Sequence, residues 1–310
     1  PGYPARRFET VEPLASTTTD TFDYREFVTR NIGFVTEAEQ ALLCAARVFV
    51  CGVGGMGGAC VLSLARAGVS HLTIADIDRF EVSNLNRQVF ASLDTIGEAK
   101  TEAVRRQLLR INPELDVRVL GHEWIEQLDD LLATHSIVVN AMDHIPSGVQ
   151  LYRKAREHGA TVVDAYASPL PSVYVVGPRD PRPEERMAFP SRGKPWTDIS
   201  PEDEGECLAR EIEWVMVNSS SKRHVDMEVA GALMTGERSR PSFAPMVITA
   251  GNLMCFEAIN LILDRPSGTD HRGYFFNPWT ARVERPRLRP VAWLLGYFVR
   301  SHLSRLTRGA

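Results

Sequence analysis

The run GVGGMG places Gly52, Gly54 and Gly57 at G-x-G-x-x-G spacing with Gly55 between them, and Asp76 follows 24 positions after Gly52. Glycines so spaced let a backbone approach phosphate oxygens without Cβ clashes. The N–H groups that open the following helix attract anions, and a carboxylate at the distance of Asp76 accepts from ribose hydroxyls. The bland alternatives are a tight helix–sheet contact that needs small residues, and a solvated strand end at Asp76. ADIDRFEVSNLNRQVF next brings Asp76, Asp78, Asn84, Arg87 and Gln88 into one short stretch, and Lys100 stands in GEAKTEAV. A bidentate guanidinium and a mobile ammonium exceed what a dinucleotide needs and suit a triphosphate. Asp143, just past IVVN, is a hard oxygen donor of the kind that holds magnesium with waters and phosphates. Singly, Lys100 reads as a surface lysine, Arg87 as a loop ion pair and Asp143 as a carboxylate at a helix start near Ser147.

These groups need a scaffold that gathers them. Thr36 and Glu39 have capping-box spacing, and Ala38, Ala41, Leu42 and Ala45 recur at helical intervals, predicting a helix over Thr36–Arg47. VFVC predicts a strand, and the helical run after the glycines ends at Gly68. His71–Asp76 predicts a second strand. The alternation continues with a helix over Gly97–Ile111, strands at Val117–Leu120 and Ser136–Asn140, a helix over Ser147–His158 and a strand at Thr161–Ala165. Strands alternating with helices predict an α/β fold. Its form is a doubly wound, Rossmann-like, mostly parallel sheet with helices on both faces, right-handed crossovers and ligands at the strands' carboxyl ends.

After Gly177 six prolines and the acidic DISPEDEGE predict a long crossover loop with little regular structure. Helical pattern resumes at Cys207–Val217 and at Pro245–Leu263, before a C-terminal mixed segment. The expected organisation is a Pro/Thr/Ser-rich arm over 1–21, a nucleotide-binding core over 22–176, the crossover loop over 177–206, completion of the same domain over 207–281, and a basic amphipathic tail over 282–310. That tail carries seven Arg against one acidic residue.

Composition narrows the classes. With 310 residues, 44% hydrophobic and 24% charged, the chain can bury a core, and wholesale disorder is excluded. A net charge of −4 disfavours nucleic acid as the main partner, although the arginine-rich tail points the other way. No apolar run approaches a membrane span, and PGYPARRFET lacks the form of a signal peptide, so no membrane partner and a cytoplasmic location are expected. Cys44, Cys51, Cys60, Cys207 and Cys255 form no Cys-x-x-Cys pair, so no structural zinc is expected.

GVGGMGG, DIDRFEVSNLNRQ, a Lys thirteen residues past Arg87 and VVNAMD together resemble the ThiF/MoeB/HesA adenylyltransferases, related to ubiquitin-activating enzymes, over roughly Arg25 to Asp164. PSFAPMVITAGNLMCFEAINLIL is a weaker echo. The resemblance implies ATP and magnesium, transfer of AMP to a carboxylate on a protein, peptide or small molecule, and a homodimer. By position Asp76 resembles the ribose ligand, Asn84, Arg87 and Lys100 the phosphate ligands, and Asp143 the magnesium ligand. Arg25, with Arg30 as a rival, resembles the arginine that reaches across the dimer. Members that form a thioester carry a cysteine near the place of Cys207, whose neighbours Glu204 and Glu206 should raise its pKa. Gly58 stands where Ser is usual and His144 where Asn is usual, and the paired Cys-x-x-Cys motifs are absent, which loosens substrate identity. INPE at Ile111–Glu114 echoes members that modify tRNA. Two rivals stay open: an NAD- or FAD-binding oxidoreductase, which shares the glycine spacing, and a non-catalytic scaffold subunit, which has no need of the phosphate ligands.

Overall fold

The computed structural model describes residues 22–166, 168–226, 229, 241–288, 290–297 and 299. The expected arm over 1–21 and the end of the terminal tail, 300–310, lie outside the described residues. One eight-stranded sheet runs in the order β3-β2-β1-β4-β5-β6-β7-β8. Its strands are β1 Arg47–Cys51, β2 His71–Ala75, β3 Asp116–Leu120, β4 Ile137–Asn140, β5 Thr161–Asp164, β6 Ser172–Val176, β7 Tyr274–Asn277 and β8 Arg282–Glu284. β3, β2, β1, β4 and β5 pair in parallel, and β5 to β8 pair antiparallel. The sheet is therefore mixed, mostly parallel, and Rossmann-like as expected. Apolar runs such as VFVC and IVVN suit strands covered on both faces, and β1 and β4 are buried almost throughout. The chain walks outward from β1 to β3 and returns to β4 on the other side of β1. The strand order thus reverses between β1 and β4, where the carboxyl ends leave a crevice.

The helices are α1 Tyr24–Val28, α2 Glu37–Ala45, α3 Gly55–Arg66, α4 Lys100–Leu109, α5 Leu128–Thr134, α6 Ile145–Glu157, α7 Pro183–Arg186, α8 Pro201–Asn218 and α9 Ala244–Ile262. The Thr36 capping box forms: Glu39 N donates to Thr36 Oγ1 at 3.2 Å, and Thr36 N donates to Glu39 Oε2 at 2.8 Å. α9 lies across α3 at Gly251, where a Cβ would come within 2.3 Å of the Met56 carbonyl oxygen, so only glycine permits the approach.

Three expectations are corrected. The segment 177–206 is less irregular than its prolines suggest, because α7, a 3-10 turn at Trp196–Asp198 and the first turns of α8 all fall within it. α8 begins at Pro201, six residues before the expected boundary. Ser200 caps it with Asp203, and the acids Glu202, Asp203 and Glu204 occupy its first turn, where the helix dipole favours negative charge. β8 starts at Arg282, so the first residues assigned to the tail belong to the sheet. α9 is, among the described residues, the one helix with the length and apolarity of a membrane span. Asn252, Glu257 and Asn260 interrupt its apolar run in the sequence. Glu257 is buried and accepts from Ser267 Oγ at 2.7 Å.

Candidate active site

The glycine loop joins β1 to α3 at the β1/β4 crevice. Gly52 sits at φ +83°, donates its N–H to the Ala75 carbonyl at 2.7 Å, and has no room for a Cβ, which would lie 2.7 Å from the Ala141 carbonyl oxygen. At Gly57 a Cβ would come within 1.8 Å of the Gly52 carbonyl oxygen, so helix–sheet contact alone demands that glycine. Gly55 backs onto Val247, and Gly54 faces the Gln88 amide. Gly54 is the N-cap of α3 and supplies no side-chain acceptor, so the first N–H groups of the helix keep their capacity for an outside anion.

Asp76, one residue past β2, reaches back to this loop. Its Oδ2 accepts from Val53 N at 2.8 Å and its Oδ1 from Asp78 N at 2.9 Å. Burial pushes its pKa up, opposed by the nearby Lys100 ammonium and by those two N–H groups. Lys100, on the first turn of α4, is buried and donates from Nζ to Asp78 Oδ2 at 2.8 Å; Asp78 itself is largely exposed. Within the chain, then, Asp78 is the partner of Lys100. Asn84 is buried in a 3-10 turn over Val82–Asn84, where its Oδ1 accepts from Glu81 N at 3.1 Å. Arg87 donates from Nη1 to the Ser83 carbonyl at 2.6 Å and to Asn86 Oδ1 at 3.0 Å, and its remaining donors have no partner among the described residues. Gln88 is buried, and its Oε1 has no partner among the described residues.

Asp143 follows β4 by three residues, on a turn pressed against Gly52 through Ala141. It is exposed and makes no hydrogen bond or ion pair among the described residues. No cluster of three or more His, Cys, Asp or Glu able to hold a metal occurs among those residues. A single free carboxylate fits magnesium, which takes one or two carboxylates and completes its shell with water and phosphate. His144, in place of the usual Asn, caps α6, with Nδ1 2.7 Å from Ser147 Oγ.

The chain does not bring Arg25 or Arg30 to this place. Arg25 lies on α1, and its neighbour Tyr24 donates to the Gly68 carbonyl at 2.6 Å, beyond the far end of α3 from the glycine loop. Cys207 is fully buried in α8 among Tyr166, Tyr174, Met187 and Phe189. Burial first, then the charges of Glu211 and Asp203, push its thiol up to about 11, so Glu204 and Glu206 are not the cause. Two polar residues passed unremarked in the sequence, Asn140 and Asp164. Each is a single polar residue ending an apolar strand, IVVN and TVVD, at the ligand edge of a parallel sheet. That position was their signal.

The model of the ThiF family matches residues 28–292. The chain belongs to that family. Within the ThiF/MoeB/HesA superfamily it is 41% identical over 124 residues to molybdopterin-synthase adenylyltransferase of Salmonella typhimurium, covering 38% of this chain and 48% of that protein. It is 34% identical over 131 residues to tRNA threonylcarbamoyladenosine dehydratase of Haemophilus influenzae, covering 41% of this chain and 50% of that one. The matches thus span about half the length of these relatives. The crystal structure of E. coli MccB with ATP superposes with a TM-score of 0.57 at 20% identity, over 80% of this chain and 66% of that chain, which shows a shared ThiF fold.

Proposed function

We propose that this ThiF-family chain is an ATP-dependent adenylyltransferase that activates a carboxylate. The carboxylate belongs to the C-terminus of a ubiquitin-like protein or a peptide, to a side chain, or to a small molecule. The observation that carries the reading is the joint placement, at one sheet edge, of an uncapped glycine loop, buried Lys100, Arg87 with donors to spare and the unpaired Asp143. Similarity to a molybdopterin-synthase adenylyltransferase and a shared fold with an ATP complex support it.

In this reading Asp76, fixed by Val53 N and Asp78 N, accepts from the ribose, and the loop N–H groups face the phosphates. A carboxylate with a pKa near ~4 is already anionic at neutral pH, so it attacks the α-phosphorus without a general base. One oxygen–phosphorus bond forms, the bond from the α-phosphorus to the bridging oxygen breaks, and pyrophosphate leaves with the electron pair. The difficulty is the approach of two anions, and in this reading Lys100 and Arg87 supply the positive charge that meets it. Asp143 would hold magnesium, which would supply charge neutralisation at the phosphates. The acyl adenylate then meets an amine, amide or sulfur nucleophile. Cys207, buried and with a raised pKa, is poorly suited to be that nucleophile. Arg25, with Arg30 as its rival, is remote from the loop of its own chain and is proposed to serve a partner's site in a homodimer.

ATP–pyrophosphate exchange with candidate carboxylates tests the proposal, with mass analysis for an AMP adduct. Carboxylate-dependent exchange is expected. Tight NAD binding without exchange would return the chain to the oxidoreductases, and undiminished exchange in Asp143→Ala would remove Asp143 from the reaction.

A further inference from the structure

The carboxyl edge of the sheet carries a lateral row in register: Ala75 beside Cys51, Cys51 beside Asn140, Asn140 beside Asp164, and Asp164 beside Tyr174. Asn140 and Asp164 are buried in that row, between the glycine loop and the crossover segment. Asp164 is surrounded by donors. Its Oδ2 accepts from the Tyr152 hydroxyl at 2.5 Å and from Asn140 Nδ2 at 3.2 Å, and its Oδ1 accepts from Ala165 N at 2.7 Å. These three hydrogen bonds favour the ionised, acceptor-only carboxylate and oppose the burial that pushes its pKa up.

This fixes the neighbouring amide. A primary amide presents a donor at one end and an acceptor at the other, and its orientation follows from its partners. With Asp164 accepting at Oδ2, Asn140 turns Nδ2 toward it. That leaves Oδ1 facing the N–H of Met142 at 3.4 Å, an Asx-type turn in which a side chain accepts from the backbone two residues on. The same turn is pinned by the Ala141 N–H, which donates to the Cys51 carbonyl at 2.8 Å, and by the contact of Ala141 with Gly52 and Gly57. Flipping Asn140 would set its NH₂ against the Met142 N–H and release the stretch that ends in Asp143.

We propose that Asp164, backed by Tyr152, is a positioning residue that locks the Asn140 amide and thereby sets the Ala141–Asp143 turn, aiming the Asp143 carboxylate at a metal–triphosphate. The inference rests on the nucleotide reading of the site. Neither Asp164 nor Tyr152 touches the reacting atoms; both act through Asn140 and the turn.

The test uses the full chain, Mn²⁺ as the metal probe and ATP without any carboxylate substrate, so it does not depend on the acceptor chemistry. Binding of Mn²⁺·ATP is followed by electron paramagnetic resonance, metal-free ATP binding by calorimetry and the fold by thermal melting. Asp164→Asn keeps the shape but puts an NH₂ among donors, and is expected to weaken Mn²⁺·ATP binding about 10-fold, the usual scale for a residue that orients a metal ligand. Tyr152→Phe removes one donor and keeps the ring, and is expected to weaken it about 3-fold; it carries the test if Asp164→Asn does not fold. Metal-free ATP binding should not change. On an Asp143→Ala background both losses should vanish, because a residue acting through Asp143 has nothing left to aim. Equal losses on both backgrounds, or a lowered melting temperature with unchanged Mn²⁺·ATP affinity, overturn the positioning role alone. A wild-type chain that binds no ATP overturns the nucleotide reading and this inference with it.

Discussion

In the parallel part of the sheet, the polar side chains at the carboxyl edge are held largely by backbone groups: Asp76 by Val53 N and Asp78 N, Asn84 by Glu81 N, and Arg87 by the Ser83 carbonyl. The crossover segment after β6 is held instead by ion pairs to α6. Arg153 grips Glu184 at 2.6 Å, Arg156 grips Glu185 at 2.8 Å, and Arg182 contacts both acids at 3.3 and 3.0 Å. In the second region the charges largely neutralise one another. In the first, Lys100 pairs with the exposed Asp78, yet anchoring by backbone leaves other charge available, since Asp143 and the remaining donors of Arg87 have no partner among the described residues. A region that must meet an anionic ligand needs fixed but unspent charge, whereas one that only has to stay in place does not. Substitutions in the two regions should therefore separate activity from stability.

The largest effect is expected at Lys100. Lys100→Ala should reduce ATP–pyrophosphate exchange about 10³-fold, the scale of losing a positioned donor to a transition state. Its partner Asp78 is already exposed, so its carboxylate passes to water and the melting temperature should hardly move. A large loss of stability with proportionate loss of exchange would place Lys100 among the structural ion pairs of the other region.

Gly57→Ala should act the opposite way. A Cβ there has no room beside the Gly52 carbonyl oxygen, and α3 must move off β1 to admit it. Destabilisation of about 3 kcal/mol is expected in urea unfolding, at the upper end for overpacking. Unchanged stability would mean that the loop yields easily and that the glycine serves the ligand alone.

The two regions also differ in how much of them the sequence discloses. The glycine loop, the Thr36 capping box and the stretch from Asp76 to Lys100 are local: their signals lie within one strand–loop–helix unit, and the parallel order follows from repeating that unit. The crossover segment hid its helices because an acidic, proline-bearing run reads as irregular until Ser200 and Asp203 are seen to be a cap with the dipole behind it. Its anchors, Arg153 with Glu184 and Arg156 with Glu185, are 31 and 29 residues apart and have no local pattern. At the site, Asp164 escaped for the same reason, since its relation to Asn140 is one of register between neighbouring strands.

The smallest expected effect tests the crossover clamp. Glu185 accepts two hydrogen bonds from Arg156, at 3.0 and 2.8 Å, and one from Arg182 N at 2.9 Å, which hold its pKa at about 2 against an ordinary 4.5. The native state prefers the ionised form, so between these values the unfolded chain binds the proton first. The clamp's contribution is fully present above pH 4.5 and is lost as pH falls through that window toward 2. Both partners are partly solvated, so about 1 kcal/mol is at stake. Glu185→Gln cannot titrate. Urea unfolding at pH 6 and at pH 3 should show wild type losing about 0.6 kcal/mol more than the variant on acidification, since pH 3 lies part-way through the window, with exchange at neutral pH unaltered in both. If acidification costs the two proteins equally, Glu185 is not part of a working clamp, and the division between spent and unspent charge does not hold for this pair.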